Sequence, residues 1–258
     1  MSLAGKAFIV TGGASGIGRS AVRKLLGLAA EVHVVDAASD VATHEGLAGR
    51  QRNHANVDVA SRAQVRNVLD RIAAQSDAPL GGLVHCAAIL RPTEASEAGD
   101  DQLRRLWDVN VVGTWNVNTE LYRLVRAARG SGSGSGSGSG ARPSVDALAS
   151  IVNMASMASL RGIPDVPGYV ATKHAVLGLS RSFAQSWASV GLRVNCVAPG
   201  AVNTPMIRGM VIDAGSPYKG VLRHVLEPDE VADTIVFLLG EGSSAITGQV
   251  VEVNGGWP

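Results

Sequence analysis

The chain has 258 residues, of which 46% are hydrophobic and 17% are charged, a composition that suits one compact domain of ordinary size. Lys and Arg number 23 against 22 Asp and Glu, so the formal net charge is +1. A chain so close to neutrality has no field with which to hold nucleic acid or an anionic membrane, and we expect neither as a partner. Its apolar runs fall far short of the roughly 20 residues that cross a bilayer.

The N-terminus and the cysteines bear on the compartment. The chain opens with MSLAGK and passes into a short apolar run, without the basic start and long apolar core of a signal peptide. The two cysteines, Cys86 and Cys196, are too few for a disulfide framework and lack the spacing of metal ligands. We therefore expect a cytoplasmic protein with reduced thiols and no metal site.

Short apolar runs alternate with amphipathic stretches along the whole chain, which is typical of buried parallel strands joined by helices. The strands are predicted at residues 7–10, 31–35, 83–86, 151–154, 192–197 and 250–253, with a third strand in chain order that closes at Asp58 and Val59. The helices are predicted at residues 17–28, 62–74, 101–128, 169–189 and 229–239. This pattern predicts an α/β fold, a single doubly wound Rossmann-type domain over residues 1–258, with a mainly parallel seven-stranded sheet and helices on both faces.

Residues 130–140 are an unbroken alternation of glycine and serine. Such a run cannot pack a core, so we predict a flexible insertion at the surface or an engineered loop replacement. A tether or docking site is the less favoured alternative. The run precedes the fifth predicted strand, whereas ligands of such sheets bind at the opposite, carboxyl edge.

A glycine-rich turn, TGGASGIG at residues 11–18, follows the first predicted strand and opens a helix. Gly12, Gly16 and Gly18 allow the backbone to turn tightly and approach a pyrophosphate, whose charge the helix N-terminus stabilises. The spacing is GxxxGxG and not GxGxxG, so a plain strand-to-helix turn remains an alternative. Its position in the first strand-helix unit favours dinucleotide binding.

Two aspartates follow predicted strands. Asp36 ends the second strand, where a carboxylate can accept hydrogen bonds from an adenosine ribose and would repel a 2′-phosphate. This favours NAD as the cofactor, and an ordinary strand-end or helix-capping aspartate is the alternative. Asp58 either contacts the adenine or caps the helix that begins near Arg62.

Tyr169 and Lys173 are four residues apart, so they share one face of a helix. A nearby ammonium favours the phenolate, and we expect it to bring the pKa of Tyr169 towards the range useful for acid/base chemistry. Ser156 stands at the end of the fifth predicted strand, where its hydroxyl could bind a carbonyl or alkoxide oxygen. Ser159 is a rival for that position.

Together with DVNV at residues 108–111, PG at 199–200 and the run ITGQ to NGG at 246–256, these motifs resemble the short-chain dehydrogenase/reductase family over nearly the whole chain. The resemblance implies that the tyrosine transfers a proton, that the lysine also holds the nicotinamide ribose, and that the asparagine shapes a helix kink supporting a proton-relay water. The catalytic residues so implied are Asn110, Ser156, Tyr169 and Lys173. The cofactor-binding residues are Gly12, Ser15, Gly16, Ile17, Gly18, Asp36, Asp58, Val59, Ala87, Tyr169, Lys173, Pro199, Gly200, Val202 and Thr204.

One stretch departs from the family pattern. Residues 85–88 are HCAA where the family usually has Asn-Asn-Ala-Gly, so two amides that normally tie the central sheet together are missing. Adjacent strand residues point to opposite faces, which disfavours His85 and Cys86 as a reactive pair. We expect a locally repacked strand end beside the cofactor.

These observations predict an NAD-dependent oxidoreductase that interconverts a secondary alcohol and a ketone by hydride transfer, with Tyr169 as acid/base. Residues 205–226, which include Met206 and Ile207, are expected to cover a fairly apolar substrate as a lid. The alternatives are a catalytically idle dinucleotide sensor or scaffold, and an NAD-retaining epimerase or dehydratase. The resemblance also implies a homotetramer or homodimer that pairs through the two long helices.

Overall fold

The computed structural model describes residues 3–129, 145–209, 220–222 and 225–257. The strands are β1 (Ala7–Thr11), β2 (Glu31–Val35), β3 (Arg50–His54), β4 (Leu80–His85), β5 (Val145–Met154), β6 (Arg193–Pro199) and β7 (Val250–Val253). The α-helices are α1 (Gly16–Gly27), α2 (Arg62–Gln75), α3 (Asp100–Trp107), α4 (Gly113–Arg129), α5 (Pro167–Trp187) and α6 (Pro228–Leu239).

The strands form one sheet in the order β3-β2-β1-β4-β5-β6-β7, and every neighbouring pair is parallel. The order reverses between β1 and β4, so the chain leaves these two strands in opposite directions and a crevice opens at their carboxyl ends. The predicted doubly wound fold with seven strands is confirmed.

The sheet is buried on both faces because successive side chains of each strand enter different cores. In β1, Ile9 packs with α2, α4 and α5, whereas Phe8 and Val10 pack with α1 and α6. Burying each such side chain contributes roughly 1.5–3 kcal/mol. The two cores fix the register of the strands, and with it the relative positions of the loops at their carboxyl ends.

The end of the third strand differs from the sequence-based expectation. The prediction that this strand closes at Asp58 and Val59 is wrong, since β3 ends earlier and both residues lie in the loop before α2. Asn56 adopts a positive φ of 58° that turns the chain out of the sheet. Ser61, and not Asp58, caps α2. The strand itself reads RQRNH, and so polar an edge strand has no apolar run by which the sequence could reveal its bounds.

The long helix predicted over residues 101–128 is divided. A π-helical turn, Asp108–Val112, separates α3 from α4. Inside this turn the backbone carbonyl of Asn110 accepts a hydrogen bond from the Thr114 hydroxyl at 2.6 Å. The irregularity that the family resemblance implies at Asn110 is therefore present, and π-turns of this kind are frequent at functional sites.

Two predicted segments fall wholly or partly outside the described residues. The glycine/serine run at 130–140 lies outside them, as do residues 210–219 and 223–224 of the predicted lid. The described start of the lid is a 3₁₀ turn, Pro205–Ile207, and Leu226 pairs with Val202 near its end. Within the described residues, the helices are all too short or too polar to cross a membrane.

A buried polar cluster occupies the outer part of one sheet face. His33 donates a hydrogen bond from Nε2 to Glu31 at 2.9 Å, and its Nδ1 lies 3.2 Å from Nε2 of His54. The Nε atom of Arg52 lies 3.3 Å from the same Glu31 oxygen. Burial, reinforced by the charge of Arg52, lowers the pKa of His33 to about 4, and burial likewise lowers the pKa of His54 to about 4.

This cluster predicts acid lability. Both imidazoles have a folded-state pKa below the ordinary value of 6.5, so their contribution to stability is complete above pH 6.5 and is lost as the pH falls towards 4. We expect the free energy of unfolding in urea to fall by about 2 kcal/mol for each imidazole between pH 7 and pH 5. The variant His54→Gln should show a weaker pH dependence, and an equal slope in both proteins would refute the assignment.

Candidate active site

The carboxyl ends of β1, β2, β4, β5 and β6 surround a cavity of about 730 Å³. Every residue predicted to bind the cofactor lines it, and so do three of the four predicted catalytic residues: Ser156, Tyr169 and Lys173. The fourth, Asn110, is buried beside the cavity and bonds to its wall. The tertiary structure therefore brings into one cavity residues that are more than 190 positions apart in the chain, from Gly12 to Thr204.

The glycine-rich turn fits a dinucleotide. Gly12 has a positive φ of 67°, and a Cβ added there would lie 2.7 Å from the backbone nitrogen of Ala87. A Cβ added to Gly18 would lie 2.2 Å from the carbonyl oxygen of Gly12. Backbone therefore packs on backbone where α1 begins, and the N-terminus of this helix faces the cavity, which suits a pyrophosphate.

Asp36 joins the end of β2 to the glycine-rich turn. Its Oδ2 accepts a hydrogen bond from the backbone nitrogen of Ala14 at 2.9 Å, and its Oδ1 accepts one from that of Ala38 at 2.9 Å. No helix begins in the described residues that follow it directly, so helix capping does not explain this carboxylate. A carboxylate has about four acceptor positions, which leaves two for ribose hydroxyls.

A cation that the sequence did not reveal lines the cavity near Asp58. Arg105, on α3, lines the cavity, and its Nη1 lies 3.8 Å from Oδ2 of Asp58. Both side chains are largely exposed, so the pair contributes little to stability. Sequence position carried no signal for Arg105, because only the packing of α3 brings it to the loop after β3.

Lys173 lies at the inner end of the cavity, and its ammonium group is almost completely buried. Its Nζ donates to the carbonyl oxygen of Met154 at 2.8 Å and lies 5.6 Å from the ring centroid of Tyr169. The side chain is only 3% exposed, and burial lowers the pKa of Lys173 to about 8. Both residues project from one face of α5, as their spacing predicts.

The pKa of Tyr169 differs from the expectation. Burial raises it to about 12, against which the hydrogen bond with Ser156 acts in the lowering direction. This direction is opposite to the expectation that Lys173 brings the pKa of Tyr169 towards neutrality, because loss of hydration of the phenolate is the largest effect. Tyr169 is a protonated phenol at neutral pH, ready to donate a proton.

The two candidate serines have different roles in the structure. Ser156 precedes a 3₁₀ turn, Met157–Ser159, and its hydroxyl reaches Tyr169 in the cavity. Ser159 is buried, and its Oγ accepts a hydrogen bond from the backbone nitrogen of Ser156 at 3.2 Å. The geometry therefore favours Ser156 as the substrate-facing hydroxyl and Ser159 as its support.

Asn110 acts on the site through its neighbours. Its amide exchanges two hydrogen bonds of 2.9 Å with the backbone of Ile89, a residue of the cavity wall, and donates a third to Thr172 at 3.1 Å. Thr172 directly precedes Lys173 on α5. The side chain thus ties the loop after β4 to the helix that carries Tyr169 and Lys173.

The unusual residues 85–88 restore one tie between the strands. The Thr11 hydroxyl accepts from the backbone nitrogen of Ala87 at 3.3 Å and shares a hydrogen bond of 2.7 Å with Nδ1 of His85, so β1 and β4 remain joined at their carboxyl ends. Burial lowers the pKa of His85 to about 3 and raises the pKa of Cys86 to about 12. A neutral imidazole beside a protonated thiol agrees with the view that the two are not a reactive pair.

The fold, the glycine-rich turn and the meeting of Ser156, Tyr169 and Lys173 in one cavity are the features expected of a dinucleotide-binding α/β enzyme. Comparison with known proteins is consistent with this class: residues 12–258 match a family model described as enoyl-(acyl carrier protein) reductase. The chain belongs to the short-chain dehydrogenase/reductase family and is an oxidoreductase of that family.

Similar proteins span the full chain. The 2,5-dichloro-2,5-cyclohexadiene-1,4-diol dehydrogenase of Sphingobium indicum is 35% identical, with 99% of this chain and 98% of that protein covered. The 3-oxoacyl-acyl-carrier-protein reductase FabG of Chlamydia trachomatis is 31% identical, with 98% of each chain covered. A short-chain dehydrogenase of Mycobacterium paratuberculosis, solved bound to NAD, is 26% identical with a TM-score of 0.79, and covers 99% of this chain and 98% of its own.

The two serines can be separated by mutation. Ser156→Ala should lower kcat by about 10²-fold or more, as for loss of one oxyanion donor, because its hydroxyl faces the substrate oxygen. Ser159→Ala should leave kcat within a few-fold and cost about 1 kcal/mol of stability, as for loss of a cap. Steady-state kinetics on an alcohol that the enzyme turns over, with thermal unfolding alongside, measures both, and the reverse ranking would move the site to Ser159.

Proposed function

We propose that this protein oxidises an uncharged secondary alcohol to the ketone with NAD, and that the reaction runs in both directions. The observation that carries the proposal is that the Ser156 hydroxyl and the buried phenol of Tyr169 line one cavity, with the ammonium of Lys173 5.6 Å from the phenol ring centroid. A donor pair of this kind can hold a carbonyl or alkoxide oxygen. The name of the Sphingobium relative, a dehydrogenase of a diol, supports the alcohol as substrate.

The reaction removes one proton and one hydride from the alcohol. The nicotinamide ring, when bound, accepts the hydride in oxidation and supplies it in reduction. The Tyr169 oxygen accepts the hydroxyl proton while Ser156 orients the substrate oxygen, and in the reverse direction the phenol returns its proton to the ketone oxygen. The ammonium of Lys173, which donates to the carbonyl oxygen of Met154, stabilises the phenolate that accepts the proton in oxidation and that is left after reduction.

Loss of the Tyr169 hydroxyl tests the proposed function. The wild type should produce net NADH from a panel of secondary alcohols, with kcat/KM rising about tenfold per pH unit between pH 6 and 7.5, because the raised pKa of Tyr169 leaves phenolate as the minor form. Tyr169→Phe should abolish turnover and leave NAD affinity within a few-fold, measured by titration. NAD binding without turnover in the wild type would indicate a sensor, and conversion without net NADH an epimerase or dehydratase.

NAD is proposed over NADP on the ground of charge. The carboxylate of Asp36 lines the adenosine end, its neighbours Ala37 and Ala38 have no side-chain donor, and a 2′-phosphate would place about two negative charges against it. Ser15, the residue before α1, carries no charge that could offset this repulsion, and Arg19 of α1 is exposed. The relative from Mycobacterium paratuberculosis solved with NAD supports the same choice.

The cofactor choice predicts that kcat/KM favours NAD over NADP by at least about 10²-fold, or roughly 2.7 kcal/mol. Asp36→Ala should narrow the ratio, but it also removes the acceptor that holds Ala14. Asp36→Asn is therefore the matched control, since it keeps an acceptor oxygen and removes the charge. The kcat/KM with NADP should rise in both variants. An equal kcat/KM for the two cofactors in the wild type would contradict the assignment.

Assembly, lid and location belong to the same proposal. Trp115 on α4 is 45% exposed and packs against Phe183 of α5 with ring centroids 5.5 Å apart. This apolar surface supports the pairing of copies into a homodimer or homotetramer.

Met206 and Ile207 line the cavity, which supports a substrate lid over residues 205–226. Two free thiols in Cys86 and Cys196 support the reducing cytoplasm.

A further inference from the structure

The last described residues of the chain form part of the cavity. Residues 254–257, here called the tail, follow β7 and are anchored by Asn254. Its Nδ2 donates to the sulfur of Met157 at 3.0 Å and to the carbonyl oxygen of Trp257 at 3.3 Å. Met157 directly follows Ser156, so the tail is attached to the turn that presents the substrate-facing hydroxyl.

The other side of the tail lies against the loop after β6. A Cβ added to Gly200 would lie 3.1 Å from the Cα of Asn254, which leaves no room for a side chain between them. The tail therefore lies between the Gly200 loop and the Ser156 turn, and Trp257 lines the cavity. Because β7 is at the opposite edge of the sheet from β3, Trp257 lies at the substrate end and away from Asp58.

Arg161 holds the indole of Trp257 in place. Its guanidinium carbon lies 5.6 Å from the centroid of the indole ring, and its Nη1 lies 3.8 Å from Oε2 of Glu252 on β7. The backbone nitrogen of Arg161 donates to the carbonyl oxygen of Met157 at 3.1 Å. Arg161 thus fixes the indole and is itself bonded to the Ser156 turn. The indole therefore presents a rigid, flat apolar surface to the cavity.

The rest of the substrate end is apolar and carries little net charge. Ile89, Leu90, Ile163 and Val166 line it and pack in the same cluster as Tyr169. Apart from the buried Lys173 beside Tyr169, the charged side chains that line this end among the described residues are Arg91 and Asp165, which have opposite signs. Such a surface favours an uncharged, apolar substrate over an anionic one.

We propose that Trp257 is a specificity-determining residue and that the substrate is an uncharged cyclic alcohol whose ring packs on the indole. A rigid ring buries its apolar face on a rigid aromatic surface without losing rotamers, whereas an acyclic chain of equal carbon number must order its bonds to make the same contact. This proposal rests on the proposed function for its kinetic test, although binding of the ring does not require turnover.

The kinetic test compares cyclohexanol with 2-hexanol, two secondary alcohols of six carbons. The wild type should favour cyclohexanol in kcat/KM by at least about tenfold, and Trp257→Ala should raise the KM for cyclohexanol about tenfold while the KM for 2-hexanol and for NAD stays within about twofold. Trp257→Phe should restore most of the loss. Arg161→Met, which keeps the aliphatic stem, should raise the KM for cyclohexanol several-fold.

Trp107→Ala is the matched control, because Trp107 is a 44% exposed tryptophan on α3 and should leave both alcohols unchanged. Calorimetric titration of cyclohexanone into the NAD-loaded protein separates this proposal from the proposed function. Cyclohexanone bound about tenfold more tightly by the wild type than by Trp257→Ala supports the role of Trp257 even where no alcohol is turned over. Equal binding by the two proteins, or an equal KM increase for cyclohexanol and 2-hexanol, overturns it.

Discussion

The approach of backbone to backbone between Gly12 and Ala87 is the constraint on which the rest of the cavity depends. These residues follow β1 and β4, the two strands between which the chain reverses direction across the sheet. A side chain at Gly12 would push the loops apart, because its Cβ would lie 2.7 Å from the Ala87 nitrogen. The hydrogen bond between Thr11 and His85 joins the ends of the same two strands. The N-terminus of α1 is thereby aimed at the cavity.

Burial decides the electrostatics of the reacting end. Tyr169 and Lys173 are both nearly inaccessible, and the same loss of hydration raises the pKa of the phenol to about 12 and lowers that of the amine to about 8. Each change disfavours the charged form. A substrate oxygen that meets this pair therefore meets a protonated phenol, and ionisation of Tyr169 depends on the charges brought to it during the reaction.

The polar groups around the site are arranged as supports for a few substrate-facing atoms. Asn110 joins the cavity wall to α5, and Ser159 holds the backbone of Ser156. Beneath them, Asn153 of β5 exchanges hydrogen bonds with Asn118 of α4. Each of these side chains is buried, so an unpaired partner would carry a desolvation penalty of about 1–3 kcal/mol. The site is consequently rigid on the side of α4 and α5.

The sequence by itself determined the fold class and most of the candidate cavity. Buried parallel strands are continuous apolar runs, and the glycine turn, Asp36 and the Tyr169 to Lys173 spacing are local patterns, so each is visible without tertiary contacts. The polar edge strand β3 was misplaced because an edge strand needs no apolar run.

The tertiary structure alone decided the features that depend on distant packing. The pKa of Tyr169 follows from the elements that bury it. The replacement of the missing family amides by His85 follows from the position of Thr11 opposite it on the neighbouring strand. The places of Arg105 and Trp257 in the cavity wall follow from α3 and from the path of the chain after β7. Burial and contact between residues far apart in the chain leave no local periodicity, and this is why no pattern in the sequence could predict them.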